Sequence, residues 1–245
     1  MRKLPSSWDE ISVGQFMELK AIDPTTPTYE RYIQILSILL DVSDEDEMWD
    51  EMEFSDLNDM IHEIYWIKTE PLVNGKGVQI GEFTPITINE MSLGTWIDLN
   101  HFFADIWGNL DKIIAILYRR TELDSFSNIK FEPYSYPLEA RAERFKSLSI
   151  SGFYWLISEF LDFKSIIVTT FSSHFNPIIE EDTDYEPDEE DIEEEKLEEL
   201  ANNWAWESLL WRISGNDLTK YDAILDLPVI LVMNHISHLK DIKSW

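Results

Sequence analysis

Residues 27–40, PTYERYIQILSILL, decide the class of fold. Apolar side chains recur at Tyr29, Tyr32, Ile33, Leu36, Leu39 and Leu40, spacings of three and four that line one face of an α-helix. Pro27 suits the first turn, where its missing N–H costs nothing. The same period extends outward. Upstream, Ser12-Val13-Gly14-Gln15 has a capping-box pattern before Val13, Phe16 and Met17. Downstream, Leu57, Met60, Ile61, Ile64 and Tyr65 repeat it, then Trp96, Leu99, Phe103 and Ile106, then Leu110, Ile113, Ile114 and Leu117. A long helix is expected from about Ser151 to Phe171. Ser43–Asp46 and Ser55–Asn58 both read as helix starts, with acids favoured by the positive end of the helix dipole.

Two stretches depart from the helical period. Asn74-Gly75-Lys76-Gly77 is a turn signal between segments of strand composition, Val78–Ile80 and Phe83–Ile88, so a small β-hairpin is expected near 78–88. Pro85 would then lie at an edge or a bulge. Residues 124–137, DSFSNIKFEPYSYP, carry no period and read as a long loop. The sequence shows no convincing internal repeat.

The chain has 245 residues and 19 Lys+Arg against 48 Asp+Glu, a formal net charge of −29. With 44% apolar residues and ten Trp it is too apolar for a disordered acidic tail. The charge is concentrated. Glu180 to Glu199 holds 14 acids and one base, and Asp41 to Asp59 holds ten acids and no base. The remaining residues carry only −6. Pro177, just ahead of it, and Pro187 punctuate the first of these runs, which reads as a linker leading into a helix whose i,i+4 acids repel.

The expected architecture is therefore mainly α. A helical domain over 1–176, with the hairpin near 78–88, is followed by an acidic linker at 177–190 and a C-terminal three-helix subdomain at 191–245. In that subdomain Leu197, Leu200, Ala201, Trp204, Ser208 and Trp211 form a face, and Ser214-Gly215-Asn216 ends the helix. Asp217 caps a short helix with Leu218, Tyr221, Ile224 and Leu225, and Pro228 starts the last, with Val229, Val232, Met233, Ile236 and Leu239.

Composition excludes several functions. Nucleic-acid backbones need clustered Lys and Arg, and an anionic membrane needs the same. Without cysteine there is no disulfide, thiol nucleophile or cysteine zinc site. The start MRKLPSSWDE does not read as a signal peptide, and Glu159, Asp162 and Lys164 interrupt the most apolar stretch. No catalytic motif is present, and no cofactor is expected. His235 and His238 stand at i,i+3 with no matching acid motif. A calcium-loop register starting at Asp182 puts Pro187 where glycine is required. The informative residues are aromatic: Trp204, Trp206 and Trp211, with Tyr221, are the candidate partner-binding residues, since Trp and Tyr dominate interface hot spots.

The order of segments resembles the tail assembly chaperones of tailed bacteriophages. The resemblance rests on LPSSWDEISVGQFMEL with YIQILSILLDVSDEDEMWDEMEFSDLNDM at the N-terminus, ITINEMSLGTWIDLNHFFADIWGNLDKIIAILYRR in the middle and LLWRISGNDLTKYDAILDLPVILVMNHISHLK at the end. It implies a non-enzymatic protein of the host cytoplasm. Such a protein binds the tail tube and tape-measure proteins during morphogenesis and leaves before the virion is complete. The alternatives are a virion structural component (neck, ring or packaged protein) and an acidic DNA mimic that inhibits a host enzyme. The mimic is disfavoured because its charge should be spread over an extended folded surface, whereas here it sits in two short segments.

Overall fold

The computed structural model describes residues 3–72, 79–87, 90–123, 129–132, 137–171 and 205–241. The expected linker at 177–190 lies outside the described residues. The chain is mainly helical and forms two compact units, Met1–Ile86 with Leu99–Leu161, and Thr87–Asp98 with Asp162–Trp245. The second unit thus takes in 87–98 besides C-terminal sequence.

In the first unit, α1 (Val13–Ala21) packs on α2 (Thr28–Leu40), α6 (Leu110–Leu117) and α7 (Leu138–Lys146). Its capping box is complete: Ser12 Oγ accepts from Gln15 N and Gln15 Oε1 accepts from Ser12 N, each at 3.1 Å. Gln15 Nε2 then donates to Ile38 O, tying α1 to α2. Leu36, Leu39 and Leu40 are buried as the period requires, while Tyr29 at the other end of α2 is exposed. α2 stops where Asp41 turns left-handed, φ 54°, and the amides of Asp41 and Val42 return to Ile38 O and Ser37 O.

The acidic stretch after α2 forms two helices later and earlier than expected. Asp46 Oδ1 accepts from Met48 N, so 43–46 is a turn and the one-turn α3 is Met48–Glu51. α4 (Phe54–Glu63) begins ahead of Ser55, without a side-chain cap. Leu57 and Ile64 are buried. Tyr65 leaves the apolar face because the chain tightens into a 3-10 turn, Tyr65–Lys68.

A small antiparallel sheet accompanies the helices, with partners the sequence did not indicate. Ile80 and Phe83 exchange hydrogen bonds across a turn at Gly81, φ +59°. β1 (Phe83–Pro85) then pairs with β2 (Tyr118–Leu123), which pairs with β3 (Ile129–Phe131) inside the stretch read as loop. Pro85 is on the edge strand, where a missing N–H is tolerated. Beneath the sheet Tyr118, Phe145 and Phe153 form an aromatic triangle with ring centres 5.2–5.9 Å apart. Arg141 Nη1 meets Glu132 Oε2 at 2.5 Å, both side chains nearly fully buried, joining α7 to the end of β3.

α5 (Leu93–Phe102) and α8 (Trp155–Thr170) are divided between the units. α8 begins four residues later than expected, after a 3-10 turn at Ile150–Gly152. In the second unit Trp96 packs edge-on against Phe163 at 5.5 Å. α9 (Ala205–Ile213), α10 (Tyr221–Leu225) and α11 (Val229–Asp241) follow. Val229, Val232, Met233 and Ile236 are buried, as their spacing predicts.

The absence of a repeat is overturned. Ile11-Ser12-Val13-Gly14-Gln15-Phe16-Met17-Glu18-Leu19 and Met91-Ser92-Leu93-Gly94-Thr95-Trp96-Ile97-Asp98-Leu99 match position by position in size and polarity. Their surroundings match too. Ser12 bridges Ser149 and Ser92 bridges Pro228, both antiparallel. Val13 N donates to Leu148 O and Ile150 N to Ile11 O, at 2.8 and 2.9 Å; Leu93 N donates to Leu227 O and Val229 N to Met91 O, at 2.8 and 2.9 Å. Ser12 Oγ and Ser92 Oγ each accept the amide three residues on. Phe16 and Trp96 are both fully buried. Each unit is thus organised on the same clamp at the start of a helix.

Candidate functional site

The expected binding residues are on the second unit. Trp204 lies outside the described residues, and Trp206 falls on α9 with its side chain outside them. Trp211 is 43% exposed on α9, and Tyr221 is half-buried at the start of α10, which packs against α9. The turn between them is closed by backbone hydrogen bonds. Gly215, φ +68°, lets Gly215 N and Asn216 N return to Arg212 O and Trp211 O. Asp217 accepts from the hydroxyl and amide of Thr219, which hold its carboxyl below the usual range. This turn presents Leu218, 65% exposed, between the two aromatic positions in sequence. Leu227 and Leu231 are also exposed on this unit.

The first unit carries a site that sequence reasoning missed. The 3-10 turn Trp8–Glu10 and the 3-10 turn Tyr65–Lys68 face each other. Trp8 Nε1 donates to Thr69 O at 2.8 Å and Trp66 Nε1 donates to Pro5 O at 3.2 Å. This reciprocal pair fixes both indoles, perpendicular at 89° with ring centres 5.1 Å apart. Trp8 is backed by Phe16, and Phe16 by Trp107 and Tyr154, at 5.4–6.0 Å. A groove of about 360 Å³ opens beside them, lined by Trp8, Trp66, Leu72, Asp9, Glu70 and small hydroxyl residues. Among the described residues its lining contains two carboxylates and no base. Burial pushes the Tyr154 phenol up to about 12, reinforced by its hydrogen bond to Glu70 and that residue's charge. Phe54, Tyr65 and Leu72, all in the 54–72 stretch, are exposed by 77%, 62% and 72%.

Trp8 and Trp66 are too far apart in sequence for any local pattern to join them. The available signal was composition: an indole beside an acid at Trp8-Asp9, in a segment too polar to be core.

A second, wider cleft of about 940 Å³ runs along α1 and the end of α2. Lys3, Lys146, Glu18, Asp41 and Asp44 line it, so its charge is mixed. Four of the chain's seven arginines gather at the sheet and α7, already committed to acids or carbonyls: Arg141 to Glu132, Arg120 and Arg144 to Glu82, and Arg119 to Glu132 O. His235 and His238 are both exposed on α11. Among the described residues no group of three or more His, Cys, Asp or Glu could hold a metal ion, and no helix is long and apolar enough to cross a membrane.

Comparison with protein-family models, with curated proteins and with solved structures finds no match for this chain.

Proposed function

We propose that this chain is a non-enzymatic assembly chaperone or adaptor that binds tail tube and tape-measure proteins during tail morphogenesis of a tailed bacteriophage, in the host cytoplasm. The observation that carries the reading is the set of large apolar side chains left in solvent on both units, Phe54, Tyr65 and Leu72 on one and Trp211, Leu218 and Leu231 on the other. Such side chains favour contact with another protein. The net charge of −29 supports the same reading, because self-repulsion keeps a loaded complex dispersed. The identity of the partners rests on the sequence resemblance. Co-expression with the tail tube and tape-measure genes of its phage tests it: their soluble yield rises and a complex co-purifies, while mass spectrometry of purified virions finds the chain absent. A chain present stoichiometrically in virions, with no such complex, would instead be a structural component.

A further inference from the structure

We propose that the groove beside Trp8 and Trp66 is a subsite for a cationic side chain, an arginine or lysine of a partner protein. The inference rests on reading this chain as a protein-binding one and adds the chemistry that one of its surfaces recognises.

Three features of the groove converge. Its walls are two indoles whose N–H groups are already committed to Thr69 O and Pro5 O. What they offer a ligand is therefore their π-faces and edges, not a donor. Perpendicular rings with centres 5.1 Å apart form a corner, and an aromatic corner attracts a cation held within about 6 Å of a ring centre. Secondly, among the described residues the formal charges in the lining are Asp9 and Glu70, both negative. Lys68, adjacent in sequence, places Nζ 4.2 Å from the Tyr65 ring centre instead. The groove thus pairs two carboxylates with an apolar wall, and no base among the described residues lines it. Thirdly, about 360 Å³ matches a long side chain with its flanking backbone. Arginine and lysine combine an alkyl stem, which suits Leu72 and the indoles, with a charged end that suits the carboxylates. An acidic partner side chain would meet repulsion, and a purely apolar one would leave both carboxylates facing a less polar surface. The same chain shows the interaction internally, with Lys20 Nζ 5.0 Å from the Trp107 ring centre.

The test uses the full-length protein labelled with ¹⁵N and a short probe, acetyl-Leu-Arg-Leu-amide. A second probe replaces Arg with citrulline, which keeps the shape and removes the charge. The Trp8→Phe and Trp66→Phe variants assign the two indole N–H signals. The arginine peptide is expected to shift those two signals and leave the Trp211 signal in place. The citrulline peptide is expected to bind about tenfold more weakly. Glu70→Gln and Asp9→Asn, both at exposed positions, are each expected to weaken the arginine peptide several-fold and leave the citrulline peptide unchanged. Equal binding of the two peptides, or shifts confined to other indoles, overturns the proposal in favour of an apolar occupant or a different site. So does an arginine peptide that shifts no indole at millimolar concentration. The tail partners take no part in this titration. Failure of the morphogenesis reading therefore shows in co-expression, and failure of the cation subsite shows here.

Discussion

Tyr118 is one of two phenols that make this fold's stability depend on alkaline pH. Its ring is fully buried between Phe145 and Phe153, and burial pushes the phenol from its ordinary value up to about 12, against a smaller opposing effect of its hydrogen bond with Trp155. A folded pKa above the unfolded one means that the fold favours the protonated form. The contribution is then complete below pH 10 and is lost as pH climbs from 10 toward 12. The urea midpoint should fall through that window, and in Tyr118→Phe it should fall less steeply, with Tyr154 still contributing a loss of the same sign. Glu132 is the counterpart among charged groups. Removing it takes from the buried Arg141 the carboxylate it is paired with, so Glu132→Ala should cost about 3 kcal/mol in urea denaturation. Glu132→Leu combined with Arg141→Met should recover most of that, because neither charge then remains to be desolvated.

At the scale of elements, the clamp shared by the two units sets the strongest expectation. Ser12→Ala and Ser92→Ala each remove the side-chain acceptor at the start of a helix, and each should cost about 1 kcal/mol. Faster amide exchange is expected at Gln15 in the first variant and at Thr95 in the second. The helices themselves were legible because the apolar period is a local property: Leu36, Leu39 and Leu40, or Val232, Met233 and Ile236, announce a buried face without reference to anything distant. The Ser12 cap and the Asp217 cap were legible for the same reason. The sheet was not. Nothing in Tyr-Arg-Arg-Thr-Glu-Leu at 118–123 says that it will pair with Phe83–Pro85, since strand pairing depends on cross-strand neighbours and burial more than on composition. The groove at Trp8 and Trp66 escaped for a related reason, being assembled from two turns brought together by the fold. The repeat was visible in principle. Its two copies share only Ser, Gly and Leu as identities, and the match shows once Phe16 and Trp96 are seen in the same role.

For the whole molecule, function is expected to separate from stability. Trp211 and Leu218 are 43% and 65% exposed. The Leu218→Ala variant should leave the melting temperature nearly unchanged, and Trp211→Ala should lower it by only a few degrees. Trp211→Ala should weaken a captured partner by about 2 kcal/mol if Trp211 is an anchor, as measured by calorimetry on the purified complex. The clamp on the second unit has a further consequence, for the order in which the chain can fold as it is made. Met91, Leu93 and Trp96 are synthesised long before Leu227 and Val229, to which the first two are bonded. At about 10 residues per second the ribosome takes on the order of 13 s to cover that interval. From the moment Leu161 has emerged the first unit has all its residues available, while Met91 and Leu93 still wait for Val229 and Leu227. The second unit is therefore completed last, and a nascent chain stalled between these segments holds Met91 and Leu93 without the backbone partners that clamp them in the finished fold.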